Sequence, residues 1–394
     1  MTTSIVIICI IILDLVTVWG VKRGFPQFSS RYGKSIQTVF IIQAVLAIVI
    51  VLFGQFQRYI GDYRIIALSY YFFGGMTALY IPKLVFSCFL IVCKAVRKHN
   101  KFAKYGFWIS ATFALLVVWG VLFGRYDFKV EHVEIKSDII PQSFDGYRIM
   151  QLSDIHAGSF AGIAHRFQKA VDLANEQKPD IIVMTGDIVN NYAEELIPFI
   201  PIFSQLSAAD GKFAVLGNHD YGGYFKWKSP IDSVTNHKNI KSNIELMGFV
   251  FLDNEAIVIK RNEYDSIALI GVENWGVLKR FPKRADVQKA MENVRDIPFK
   301  VLITHDPSLW TRDIKNLKDV TVTLAGHTHG GQMGVKIGKK RMGPAILLPR
   351  FRYWAGLYKY GEQYLYINRG LGVIGFPARI GMPPEITVIT LRNI

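Results

Sequence analysis

The sequence predicts an all-α transmembrane region of about four helices followed by a layered α/β (α+β) domain. Three observations carry this. Long apolar runs are confined to the first 130 residues, the charge divides sharply at the same place, and short β-rich runs alternating with helical or loop segments follow it. At 394 residues, two or three structural units are the natural expectation, with a boundary between 1–130 and 131–394.

Four apolar runs lie at roughly 4–21, 36–56, 66–93 and 106–124. Each is close to or above the ~20 residues with which a helix crosses a hydrocarbon core. The first has no basic stretch before it and no clear small-residue cleavage site after it, so it reads as a retained span rather than a signal peptide. Asp14 and Lys83 fall inside apolar runs, where an ionised side chain is costly unless it pairs or faces a polar interior. A mutual contact and snorkelling of Lys83 to the interface are both open. Cys9, Cys88 and Cys93 also lie in apolar stretches, so the C-terminal region has neither disulfide nor thiolate metal site.

Residues 1–130 carry 14 Lys/Arg against 3 Asp/Glu, and the remainder 32 against 28; the formal charge of +15 therefore splits into +11 and +4. Most of the excess sits between apolar runs, which speaks for membrane topology and against nucleic acid, and no nucleic-acid-binding signature occurs. The first loop holds Lys22, Arg23, Arg31 and Lys34, and the third Lys94, Arg97, Lys98, Lys101 and Lys104. In the short second loop Asp62 offsets Arg58 and Arg64. The positive-inside rule places loops one and three in the cytoplasm. Four spans then put the N-terminus and the C-terminal domain outside it, on a multi-pass protein of the cell (inner or plasma) membrane.

Beyond 130, apolar strands end in polar motifs. Residues 147–153 lead into Asp154-Ile155-His156, 181–185 into Gly186-Asp187, and 213–216 into Gly217-Asn218-His219-Asp220. Residues 301–304 lead into His305, and 320–325 into Gly326-His327-Thr328-His329-Gly330-Gly331-Gln332. Between the first two strands, 164–178 reads as an amphipathic crossover helix with Phe167, Ala170, Val171 and Ala174 on one face. Five strands thus deliver metal-capable residues at their C-terminal ends, the edge of an open α/β sheet where ligands bind. Each piece alone is a weak signal; the five together, in this order, are not.

The order D-x-H, G-D, G-N-H-D, H, G-H-x-H resembles the calcineurin-like metallophosphoesterase superfamily. Phe144-Asp145-Gly146-Tyr147-Arg148-Ile149, Arg369-Gly370-Leu371-Gly372 and Pro383-Pro384-Glu385-Ile386 narrow the resemblance to the bacterial, YkuE/YaeI-type membrane-associated or exported phosphoesterases. The resemblance covers about 132–394 and implies a four-layer β-sandwich flanked by helices, with the site at the strand ends. It also implies a ligand set. Asp154, His156 and His329 would bind one metal, Asn218, His305 and His327 a second, and Asp187 would bridge them. His219 would face the leaving oxygen as the catalytic imidazole, and Asp220 would hold its tautomer. Many relatives carry a second acid where this chain has Asn190, so that an amide replaces that charge behind the ligands.

Imidazole, carboxylate and amide ligands without thiolate suit two divalent ions drawn from Mn, Fe or Zn. Two such ions bring four positive charges, against which Asp154, Asp187, a bridging hydroxide and a phosphodiester monoanion balance. Ions about 3.5–4 Å apart would orient that hydroxide for in-line attack on phosphorus. The expected activity is a membrane-anchored hydrolase of phosphoric mono- or diester or pyrophosphate bonds. Its substrate is phosphorylated, with a lipid-linked one among the options. The alternatives are a non-catalytic sensor of a phosphorylated ligand, and a transporter or sensor with an accessory phosphoesterase.

Other signals carry less. Gly370-Leu-Gly372-Val-Ile-Gly375 matches a dinucleotide fingerprint literally, but Pro377 and Pro383 follow where a helix would be needed. His99, His132, His165 and His237 lack ligand spacing. Lys336, Lys339, Lys340, Arg341, Arg350 and Arg352, interleaved with Phe351, Tyr353, Trp354 and Tyr358, suggest either a solvated hairpin over core aromatics or a rim for lipid headgroups.

Overall fold

The computed structural model describes residues 3–56, 60, 62–95, 99–276, 283–317, 319–338, 340–344 and 352–394. Arg58, Arg97, Lys98, Lys339, Arg350 and Phe351 lie outside the described residues. The chain folds as two compact units, one running to Phe123 and including Gly375–Ile380, the other comprising Gly124–Ile374 and Gly381–Ile394.

The first unit consists of α1 (Thr3–Gly24), α2 (Pro26–Phe56), α3 (Tyr63–Ala95) and α4 (His99–Leu122). Spans within these four helices are long and apolar enough to cross a membrane. Helix is the state such runs must adopt in lipid, because every N–H and C=O then finds its partner within the segment. Ile8, Ile12 and Leu15 on α1, Ile41 and Val45 on α2, and Leu115 on α4 stay exposed. Small residues bring helices together: a Cβ on Gly20 would overlap Leu90 and Phe86. The Asp14–Lys83 question resolves as an ion pair, buried between α1 and α3. Tyr80 donates to Asp14 at 2.8 Å and Lys83 to Gln43 at 2.9 Å, so three helices share one polar knot. The hexapeptide Gly375–Ile380 packs within this unit: the Arg379 N–H donates to the Gly120 carbonyl at 3.3 Å, and Pro377 covers Gly74.

The second unit is a sandwich of two six-stranded sheets. Its strands are β1 (Lys129–Ser137), β2 (Arg148–Leu152), β3 (Ile181–Thr185), β4 (Lys212–Val215), β5 (Val250–Phe251), β6 (Glu255–Lys260), β7 (Ser266–Gly271), β8 (Lys300–Ile303), β9 (Val322–Ala325), β10 (Val335–Ile337), β11 (Lys340–Met342), β12 (Gly356–Tyr360), β13 (Gln363–Ile367) and β14 (Glu385–Asn393). The first sheet runs β1-β14-β2-β3-β4-β5 and the second β12-β13-β9-β8-β7-β6, with β10-β11 a separate hairpin. Strands β2 to β5 are mutually parallel, as are β7, β8, β9 and β13, so their C-terminal ends share an edge in each sheet.

Alternation along the strands builds the layers. Ile181 and Val183 of β3 face inward onto Val301, Ile303, Val322 and Leu324 of the other sheet. Ile182 and Met184 face outward onto Phe167, Ala170, Val171 and Ala174. On the far side, Leu302 and Ala325 pack under Trp310, Leu309 and Ile314. The order is therefore helix, sheet, sheet, helix, and strands covered on both faces read as continuous apolar runs. The expected crossover helix begins as a 3-10 turn, Ala164–Phe167, and becomes α only over Gln168–Glu176. Gln151 ties the sheets near the site, its amide donating to Thr185 Oγ1 (3.0 Å) and the Ala325 carbonyl (2.9 Å).

Candidate metal centre

Each motif begins where a strand stops. Asp154 follows β2, Asp187 β3, Asn218 β4, His305 β8 and His327 β9. The backbone there is forced: Asp154, His156, Asp187, His327 and His329 all adopt positive φ, between 49° and 71°. For residues with a Cβ this costs energy, and it persists only where the surroundings over-determine it. Those surroundings are visible. The Asp154 N–H donates to the Gly186 carbonyl (2.9 Å) and the His156 N–H to the Asp187 carbonyl (3.1 Å), lacing two strand-end turns together. Gly326 has to lack a side chain, because a Cβ would meet Ser153 Oγ and Asp154 Oδ2.

These turns bring together the residues singled out in the sequence. Ligand atoms of Asp154, His156 and His329 lie within 4.8 Å of one another, as do those of Asp187, His305 and His327. Asp187 belongs as well to a third group with His156 and His219. Its Oδ2 stands 3.1 Å from His305 Nε2 and 3.6 Å from His156 Nε2, while Oδ1 accepts from the His219 N–H at 2.8 Å. His329 Nε2 lies 3.2 Å from Asp154 Oδ1. Asn218 is buried beside them, with its amide nitrogen donating to the Tyr224 hydroxyl at 2.9 Å.

Neighbouring acceptors fix the tautomers, and this tests whether the set fits a cation. His305 Nδ1 faces the Thr185 carbonyl at 2.8 Å, and His156 Nδ1 faces Asn190 Oδ1 at 3.0 Å. Each Nδ1 must then carry the hydrogen, which leaves Nε2 as a lone pair in the neutral ring. Those two Nε2 atoms approach other ring nitrogens, His329 Nε2 and His327 Nδ1, each at 3.1 Å. Converging imidazole nitrogens and carboxylates, with His156, His305, Asp154 and Asp187 each backed by an outer hydrogen bond, form the donor set of a divalent cation site.

Electrostatics agree. Burial favours neutral carboxyls, yet His329 and His305 hold Asp154 below the usual range, and His305 and His219 hold Asp187 well below it. Burial, with the charge of His219, lowers His156, and burial lowers His219. His305 moves the other way, up to about 10, because the Asp187 and Asp154 carboxylates outweigh its burial.

One expected role is corrected. The partner of His219 Nδ1 is the Asn190 carbonyl at 2.9 Å, not the Asp220 carboxylate. Asp220 points into the fold, accepting from Ile188 N–H (2.8 Å), Val189 N–H (3.0 Å) and Gly217 N–H (2.8 Å). Burial pushes it up to about 7. It braces the turns after β3 and β4. Asn190 thus serves two rings, His156 through its side chain and His219 through its backbone.

Three features escaped the sequence reading. Glu195 is buried and accepts from the N–H groups of Gly158 (3.0 Å), Asn190 (2.5 Å), Asn191 (3.0 Å) and Tyr192 (3.0 Å), so one carboxylate clamps two ligand-bearing turns. Arg369, fully buried, pairs with Glu385 (2.9 Å) and Glu131 (3.1 Å) beneath Gly330. Tyr224 stacks on His219. Arg369 and Glu385 stand inside motifs that the sequence singled out, though without a role, whereas Glu195 and Tyr224 belong to no motif.

The remaining candidates sort simply. The glycine-rich segment has no helix after it; the Leu371 and Gly372 N–H groups donate to the Ser153 and Asp154 carbonyls at 2.9 and 2.7 Å, at the edge of the site. His132, His165 and His237 join no cluster of possible metal ligands among the described residues. In the basic–aromatic region, Arg341 and Lys336 pair with Glu131 at 2.7 and 3.6 Å. Trp354 is buried, and Tyr353 packs on Trp310 and Tyr358, which favours the hairpin-over-core reading.

Residues 147–331 match the model of the calcineurin-like phosphoesterase family. The Bacillus subtilis metallophosphoesterase YkuE is 32% identical over 307 residues, covering 75% of this chain and 98% of that protein. The chain belongs to the calcineurin-like phosphoesterase family. Phosphodiesterase YaeI of Escherichia coli is 27% identical over 62% of this chain and 82% of its own length. A Danio rerio transmembrane protein with a metallophosphoesterase domain is 29% identical over 71% of this chain, which spans 61% of that relative. As a calcineurin-like phosphoesterase the chain is a phosphoric ester hydrolase, and the fold implies divalent metal ions, for which the His/Asp clusters supply donors. Its four apolar helices mark it as a membrane protein.

Proposed function

We propose that this metallophosphoesterase hydrolyses phosphodiester, phosphomonoester or pyrophosphate bonds at a centre of two divalent ions. Asp154, His156 and His329 would hold one ion and Asn218, His305 and His327 the other, with Asp187 available to both. The observation that carries this is the pair of three-residue clusters flanking Asp187. Two bound ions would lower the pKa of a water and neutralise charge on the phosphoryl oxygens.

The chain's own residues do the rest. Thr185 and Asn190 set the tautomers of His305 and His156, so each presents Nε2 to its ion. His219, with Nδ1–H committed to the Asn190 carbonyl, turns Nε2 to the leaving oxygen; it supplies a proton there only as the imidazolium, the form that an anionic phosphoryl group beside it favours. Asp220 and Glu195 keep the turns from relaxing out of their strained conformation. The positive-inside pattern of the loops supports a catalytic unit outside the cytoplasm, and tethering to a bilayer suits a lipid-linked substrate.

The test is a substrate panel with the purified full chain in detergent and Mn²⁺, comparing bis-p-nitrophenyl phosphate with phospholipids and lipid-linked pyrophosphates. Hydrolysis of the chromogenic diester is expected. No hydrolysis of any substrate with Mn²⁺, Fe²⁺ or Zn²⁺ would favour the sensor instead.

A further inference from the structure

We propose that Tyr224 is a positioning residue of the centre, setting Asn218 through its hydroxyl and His219 through its ring; this rests on the roles just given to those two residues. The two contacts are independent. The Tyr224 hydroxyl accepts from Asn218 Nδ2 at 2.9 Å. With Nδ2 engaged on that hydroxyl, Oδ1 is the Asn218 atom left for a cation. The ring lies face to face with His219, centroids 4.1 Å apart and planes within 15°.

His219 is thereby confined on three sides. Tyr224 covers one face, His156 makes an edge contact at 4.8 Å and 87°, and the Asn190 carbonyl takes Nδ1. Rotation of the imidazole about its last torsion would break the stack and the hydrogen bond together. Nε2 remains as the one ring atom free for chemistry.

Tyr224 is itself held by a preformed loop. Phe225 and Trp227 both pack on Tyr192, at 5.0 and 5.6 Å, and on each other at 4.9 Å. Trp227 Nε1 donates to the Gly222 carbonyl at 2.9 Å, and Gly222 turns with φ +64 beneath that indole. This aromatic wedge of Tyr192, Phe225 and Trp227 fixes the loop on which Tyr224 sits. The tyrosine is only half-buried, so substitutions there do not threaten the core.

The two contacts separate by substitution in the full chain. Tyr224→Phe keeps the stack and removes the acceptor; Tyr224→Leu removes both. Mn²⁺ affinity is read by calorimetry on metal-stripped protein, and turnover at saturating Mn²⁺ with aryl phosphodiesters of good (p-nitrophenol) and poor (phenol) leaving groups. Tyr224→Phe should weaken one of the two Mn²⁺ sites about tenfold, the size of effect for losing an outer partner of a ligand, without steepening the dependence on leaving group. Tyr224→Leu should show the same weakening and also lose about tenfold more turnover on the phenyl than on the p-nitrophenyl ester, because an unaligned imidazole no longer protonates the poor leaving group. A purely structural tyrosine would lower both esters alike and leave Mn²⁺ affinity unchanged, and that result overturns the proposal. So does a Phe variant with wild-type Mn²⁺ affinity, or a Leu variant with the wild-type leaving-group dependence. If the wild-type chain hydrolyses neither ester, the hydrolytic reading fails by itself, and the calorimetric comparison still decides the Asn218 contact.

Discussion

At the scale of single residues, His219 and His305 both commit Nδ1 to a backbone carbonyl and are set to different tasks by the rest of the ring: His305 Nε2 meets Asp187 at 3.1 Å, whereas Tyr224 covers a face of His219. His219 has a backbone carbonyl on Nδ1 and a tyrosine on its face, and no ligand place is assigned to it. Replacing it with alanine should lower turnover by about 10²–10⁴ while both metals are retained, as checked by elemental analysis beside kinetics. Loss of metal would make it a ligand. His305, drawn up to about 10 by Asp187 and Asp154, makes a separate prediction for chelator-stripped protein. Its folded pKa lies above the unfolded value of 6.5, so its contribution is fully present below about 6.5 and lost as pH rises towards about 10. Thermal melts of the stripped protein should therefore fall across that window, and His305→Ala should flatten the decline. A bound cation takes the proton's place, so the metal-loaded protein should not share it.

At the scale of elements, strands set the direction and the turns after them do the chemistry. Those turns are strained at five candidate ligands and are held mainly by buried carboxylates. Glu195→Ala would leave four N–H groups of two turns without their acceptor, at a cost of about 3 kcal/mol or more in urea denaturation. A variant as stable as wild type would show that the clamp is not needed. The five strands that end in metal-capable residues, and their order along the chain, were legible in sequence because apolar run and motif coincide there. What holds the motifs was not. Asp220 follows His219 in the chain, and the family resemblance implied that it orients the ring. In fact the orienting group is a backbone oxygen, which no side-chain alphabet records. Tyr224 was hidden for a similar reason, since an aromatic among aromatics carries no motif. In the helical unit, spans were readable from hydropathy, whereas the Asp14–Lys83 pairing needed the packing of α1 on α3 to choose it over snorkelling.

At the scale of the whole molecule, a phosphoesterase fold and four membrane-spanning candidates share one chain. The charge excess on loops one and three makes orientation testable. Single cysteines introduced at Ser30 and, separately, at Tyr264 of a chain lacking its own three should differ in intact cells. An impermeant maleimide should label position 264, which is 90% exposed, and not position 30. The reverse pattern would put the centre in the cytoplasm and exclude an external substrate.

Metal content and turnover, measured together on the full chain, decide most directly whether Asp187 joins two ions in a hydrolytic centre. Stripped protein titrated with Mn²⁺ should bind two ions, with hydrolysis of bis-p-nitrophenyl phosphate rising only as the second site fills. Asp187→Asn should abolish both. Turnover that survives chelation, or that is complete with a single ion, would contradict the two-ion centre.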